Sequence, residues 1–117
     1  MQTDPFRIAY YTDKNGNKPF REWLQGLRDQ IAAIRIRARL TRIRAGNFGS
    51  VRNVGEGVVE LKIDHGPGYR VYYAIDAGTI VLLLCGGDKR TQERDIETAK
   101  GFWKSHQEQK NETYDRL

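Results

Sequence analysis

Cysteine is almost missing from this chain. Cys85 is the single one among 117 residues, so no internal disulfide can form and no cysteine-based zinc site can be assembled. Histidine is nearly as rare. His65 and His106 lie far apart in the sequence, and neither a metal centre nor any other cofactor is expected. Long apolar runs are absent too: the longest, Ile80–Cys85, falls far short of the roughly 18 residues that span a bilayer. Residues 1–11 show no charged-then-apolar secretory pattern. A cytoplasmic protein with no membrane partner is the expectation. One further absence is local. Between Asp29 and Glu56 there is no acidic residue, yet Arg35, Arg37, Arg39, Arg42, Arg44 and Arg52 all fall there.

What is present points to one domain covering 1–117, with the polar end from about Gln107 expected as a frayed tail. Apolar residues make up 38% and charged residues 30%, which calls for a small core under a heavily charged surface. The formal net charge of +5 favours a polyanionic partner such as nucleic acid. Arg35, Arg39 and Arg42 repeat at i, i+4 and i+7 and share one helical face. With Arg52 they form an RNA-binding set, suited to docking on ribosomal RNA or on an acidic protein segment.

The order of elements follows from periodicity. Phe6–Thr12 is rich in strand formers and precedes the turn cluster Asp13-Lys14-Asn15-Gly16-Asn17. Pro19 opens a helix. Phe20, Trp23, Leu24, Leu27 and Ile31 mark its apolar stripe. A bend near Gly26 and a cap at Asp29 start a second helix, which Gly46 closes. Val59, Leu61 and Ile63 then alternate with Glu60, Lys62 and Asp64, and Val71, Tyr73 and Ile75 alternate with Arg70, Tyr72 and Ala74. Thr79–Cys85 reads as a central strand covered on both faces. Gln92, Ile96, Ala99 and Trp103 place a last helix at the C-terminal end. The expected fold class is α+β: an N-terminal strand, a helical hairpin, an antiparallel three-stranded meander joined by the first strand, and a C-terminal helix. One sheet face is expected on the helical hairpin and the other to be polar.

Strand parity makes one sharp expectation. For Lys62 and Arg70 to share the polar face, the loop between their strands must hold an odd number of residues. The three-residue turn Gly66-Pro67-Gly68, or a bulge, with a glycine at positive φ, meets that need. Lys62 would then stand opposite Tyr72.

Two segments carry a family resemblance. Val54-Gly55-Glu56-Gly57-Val58-Val59-Glu60-Leu61 with Gly66-Pro67-Gly68-Tyr69-Arg70-Val71-Tyr72-Tyr73, and Leu82 to Gln92 followed by Asp95-Ile96, resemble the HigB-like addiction-module killer branch of the RelE/ParE toxins. The resemblance implies a RelE-like fold and the toxin half of a type II toxin–antitoxin pair, held in check by a cognate helix-turn-helix antitoxin. It further implies metal-independent cleavage of mRNA on the ribosome. ParE-like members of the same superfamily poison DNA gyrase instead, and a passive RNA-binding module is a third reading; fold alone does not choose.

Metal-free cleavage has the 2′-OH attack the neighbouring phosphate, which calls for a base, an acid and cations around the charged phosphorane. The resemblance makes Arg70 the phosphate-binding arginine and Lys62 a basic strand residue beside it. It puts Lys89 and Arg90 where the family has a second catalytic arginine, at a helix start whose N–H groups suit an anion. Glu60 replaces a basic family position and is a candidate general base. His65 is a candidate acid or base in the hairpin loop. Ile96 stands where RelE has a tyrosine, so that role is open to Tyr69 or to Tyr72, the latter also an RNA-binding candidate. Gln92 is expected to pack against or cap the last helix.

Overall fold

Where the chain bends is decided by caps and turn residues. Pro19 sits at the first position of α1 (Pro19–Gln25), where its missing N–H costs nothing. Asp29 accepts a hydrogen bond from the Ala32 N–H and starts α2 (Gln30–Arg44), and Gly46, at φ +92°, turns the chain out of that helix. The computed structural model describes residues 3–115. In chain order it holds β1 (Arg7–Tyr10), α1, α2, β2 (Val51–Gly55), β3 (Val58–Ile63), β4 (Tyr69–Asp76), β5 (Ile80–Asp88), a 3₁₀ turn at Lys89–Thr91, and α3 (Gln92–Asp115). Residues 107–115, expected as a frayed tail, continue the helix, and 116–117 lie outside the described residues. No helix among the described residues is long and apolar enough to cross a membrane.

The five strands form one mixed sheet in the order β1-β5-β4-β3-β2. The meander has four strands rather than three, because Val51–Gly55 pairs antiparallel with β3 at the sheet edge. Between them Glu56 (φ +56°) and Gly57 (φ +85°) make a tight two-residue turn. β1 joins the opposite edge, parallel to β5.

The β3–β4 loop holds an odd number of residues, as parity demanded, but spans 64–68 instead of 66–68. Lys62 therefore pairs directly with Arg70, and Glu60 with Tyr72, a two-residue shift from the expected register that keeps all four on one face. Gly66 and Gly68 both carry positive φ.

Both sheet faces bury apolar side chains. Phe20 and Leu24 of α1 and Ala33, Ile36, Leu40 and Ile43 of α2 pack against Leu61, Ile63, Val71, Tyr73, Val81 and Leu83. Ile31 is not part of that core and stays 57% exposed. The opposite face, expected to be polar, carries a second cluster of Tyr11, Val58, Tyr72, Ala74, Leu82, Leu84 and Cys85 under Ala99, Ile96, Phe102 and Trp103 of α3. As expected, β5 is covered on both sides, and a bulge opposite Tyr72/Tyr73 turns Leu84 and Cys85 to the same face. The polar surface is what α3 leaves uncovered: the end of that face near Glu60, Lys62 and Arg70.

Candidate functional site

Three elements converge where α3 begins. β3 supplies Glu60 and Lys62, and β4 sets Tyr72 and Arg70 directly beside them. β2 adds Arg52, paired across the sheet with Glu60, and the first turn of α3 adds Gln92. Ser50, Val51, Arg52, Glu60, Lys62, Arg70 and Gln92 line an open cleft of about 330 Å³.

Glu60 is the centre of this cleft, and only 5% of it is exposed. Its carboxylate accepts hydrogen bonds from Gln92 Nε2 at 2.9 Å, Tyr72 Oη at 3.0 Å and Arg52 Nε at 3.2 Å. Burial pushes this carboxyl up, but the donors Gln92, Arg52 and Tyr72 together outweigh burial and hold it below the usual glutamate range. It is therefore ionised at neutral pH. Two oxygens offer about four acceptor positions. Oε2 serves Tyr72 and Gln92 while Oε1 serves Arg52, so Oε1 keeps capacity to accept a proton.

Arg70 lies beside it and is 6% exposed. Its Nη1 donates to the Gly68 carbonyl at 2.6 Å. Its Nε stands 3.9 Å from Glu60 Oε2, too far for a hydrogen bond, and is a buried donor with no partner among the described residues. Leaving such a donor unmet costs about 1–3 kcal/mol. Lys62 is exposed and loosely paired with exposed Asp64 at 3.3 Å.

A second groove, of about 380 Å³, shares Lys62 and Arg70 with the first and adds Asp64, the loop His65–Gly68 and Lys89. Four cations (Arg52, Lys62, Arg70, Lys89) thus face two carboxylates (Glu60, Asp64) across the joined grooves. The surplus is positive, as a phosphate site requires. His65 lines this groove, but its Nε2 meets Asp29 Oδ2 at 2.9 Å and ties the hairpin loop to the start of α2. Arg90 does not join either groove. It folds back on Asp88, with Nη2 at 2.9 Å from Oδ2, and the Arg90 N–H that was expected to face an anion already serves Asp88 Oδ1.

The remaining expected residues separate. Tyr72 is fully buried, so it offers no ring face to a base; its hydroxyl instead supports Glu60, and burial followed by the Glu60 charge raises that phenol strongly. Tyr69 lies on the other sheet face against Trp23. Ile96 packs from α3 onto the second core, as its stripe predicted. Arg35, Arg39 and Arg42 line their own groove with Ala38, Ile63 and Asp64. Within it Arg39 is committed to the protein, donating to the Lys62 and Phe48 carbonyls.

Gln92, expected to pack against or cap α3, reaches across to Glu60. A lone glutamine at a helix start has no spacing signal that could reveal this. Arg52, expected as an outlying RNA contact, belongs to the cleft itself. Among the described residues no three of His, Cys, Asp and Glu gather where they could hold a metal ion. The cleft offers a buried guanidinium with an unmet donor, an exposed lysine and an ionised carboxylate. Those groups suit binding of an anion flanked by a transferable proton.

Residues 22–104 match the family described as phage derived protein Gp49-like (DUF891). An uncharacterized protein of Haemophilus influenzae is 49% identical over 81 residues, covering 69% of this chain and 82% of that protein. Every residue lining the cleft lies inside the family span.

Proposed function

This chain belongs to the phage-derived Gp49-like family, and from that premise we propose that it is the toxin of a type II toxin–antitoxin pair, a RelE/ParE-superfamily relative that cuts ribosome-bound mRNA without a metal. The observation that carries the reading is the Arg70 guanidinium, buried at the floor of a cationic cleft with its Nε unmet.

In this reading the scissile phosphate sits over Arg70, whose planar fork grips its oxygens. Lys62, and Lys89 along the adjoining groove, add positive charge on the sides. Glu60 takes the proton of the 2′-OH through Oε1. The 2′-oxygen then bonds to phosphorus, the P–O5′ bond breaks, and the 5′-oxygen takes up a proton supplied by Lys62 or by water. The product is a 2′,3′-cyclic phosphate and a free 5′-hydroxyl, so atoms and charge balance. The cations count most at the phosphorane, where negative charge peaks. Arg52 and Gln92 hold the carboxylate that does the work. A cognate helix-turn-helix antitoxin is the proposed restraint, and the A site of the ribosome the proposed setting.

Induction in a bacterial host with pulse labelling tests this. Incorporation of amino acids should stop first. If thymidine incorporation stops first and an SOS response follows, the chain is a gyrase poison instead; no growth arrest at all would reduce it to a passive RNA-binding module.

A further inference from the structure

Helix α2 is apolar on two opposite sides, and only one of them is used. Its inner side, Ala32, Ala33, Ile36, Leu40 and Ile43, is buried on the sheet. On the outer side Ile31 is 57% exposed and Ile34 64%, the two most exposed large apolar side chains among the described residues. With Ala38 they follow i, i+3 and i+7 and make one ridge along the helix. Arg35 and Arg42 flank that ridge on one side, and Arg37 and Arg44 on the other. None of these four arginines has an ion-pair partner among the described residues.

Single exposed isoleucines are ordinary. A paired ridge between two unpaired basic rails is a pattern with a partner in it. A phosphate backbone would satisfy the arginines but gain nothing from two isoleucines at the centre. A second copy of this chain would bring arginines against arginines. What fits both features is an amphipathic helix with an apolar stripe and carboxylates along its flanks. The small Ala38 lets such a helix approach closely, and its carboxylates answer the rails. We propose that the outer face of α2 is a docking surface for an acidic amphipathic helix of a second polypeptide. It shares no residue with the Arg70 cleft, so it stands whether or not that cleft cuts RNA.

The full chain can be titrated with fluorescent helical peptides that carry Leu at i, i+3 and i+7 flanked by Glu, beside scrambled peptides of the same composition. The striped peptides should bind in a saturable, salt-sensitive manner and the scrambled ones should not. Ile34→Ser should weaken binding about tenfold or more, as for the centre of an interface. Arg37→Ser with Arg42→Ser should weaken it and reduce its salt dependence. These are exposed positions, and circular dichroism with thermal melting checks that each variant keeps its fold. Backbone amide shifts on adding the peptide should centre on 31–44. Absence of binding, binding indifferent to Ile34→Ser, or shifts centred elsewhere overturns the proposal. So does concentration-dependent dimerisation that Ile34→Ser abolishes, and so does displacement by a uridine 20-mer whose own binding needs the arginines but not Ile34.

Discussion

Gln92 Nε2 donates to Glu60 Oε2 across 2.9 Å, tying the first turn of α3 to the middle of β3. With the Tyr72 hydroxyl, which donates to the same oxygen at 3.0 Å, this bond connects the second core to the cleft, because the helix that buries Leu84 and Tyr72 also holds the carboxylate in place.

Gln92→Leu should therefore act on stability and on proton chemistry together. Losing a donor to a charged group costs about 1.5 kcal/mol or more. Glu60 lies below the usual glutamate range in the fold, so it contributes stability above its ordinary value of about 4.3, lost as pH falls through the lower folded value. Without Gln92 the folded value moves back up. Acid unfolding should begin at higher pH, and the acid limb of cleavage should shift the same way. Urea titrations across pH 3–7 and a pH–rate profile read the two effects separately.

Asp76 closes the far end of α3. Its carboxylate takes His106 Nε2 at 2.9 Å and Lys110 Nζ at 2.7 Å. Burial raises this carboxyl, but Lys110 and His106 outweigh it and leave it lowered. Its contribution is thus present above the ordinary aspartate value of about 3.9 and fades as pH drops through the folded one. Asp76→Asn should lower stability at pH 7 by about 1–3 kcal/mol and flatten the acid side of the stability curve. Hydrogen exchange should quicken in the second half of α3 and not in β3.

Gly86 lies against Trp23, and a Cβ added there would fall inside the indole ring. Gly86→Ala should destabilise by about 1–3 kcal/mol through overpacking. Shrinking the ring with Trp23→Leu should relieve part of that, so the double variant should lose less than the sum of the two singles. Thermal melting of the four proteins measures it.

These predictions rest on features that the sequence revealed unevenly. The period-two alternation of β3 and β4 made it legible that Glu60, Lys62, Arg70 and Tyr72 share a face, since parity survives a two-residue register shift. Their depth was not legible. Glutamate and arginine read as surface residues until Arg52, Tyr72 and Gln92 are gathered around Glu60, and nothing in Gln92 through Trp103 says which strand that helix approaches. Tyr72 read as an RNA-binding candidate for the same reason. Strand β2 was missed because Val51–Gly55 is exposed nearly throughout, so it carries no inward-outward rhythm; only its pairing with β3 makes it a strand. The caps at Asp29 and Gly46 were readable because cap chemistry is local. Gln92 and Arg52 entered the cleft through contacts across 32 and 8 residues, which no local pattern encodes.

The central claim is that Arg70 holds a phosphate for strand cleavage. The direct measurement is 3′-end mapping of mRNA cut in a purified translation system, comparing the wild-type chain with Arg70→Ala and Arg70→Lys. Lysine keeps the charge and most of the volume but lacks the planar fork, so it separates lost chemistry from lost folding. The wild type should leave 2′,3′-cyclic phosphate ends. Both variants should cut at least about a hundredfold more slowly, the scale of losing one transition-state donor, and Arg70→Lys should keep a cooperative melt. Cleavage by Arg70→Lys or Arg70→Ala at the wild-type rate, or intact mRNA with the wild-type protein, would contradict it.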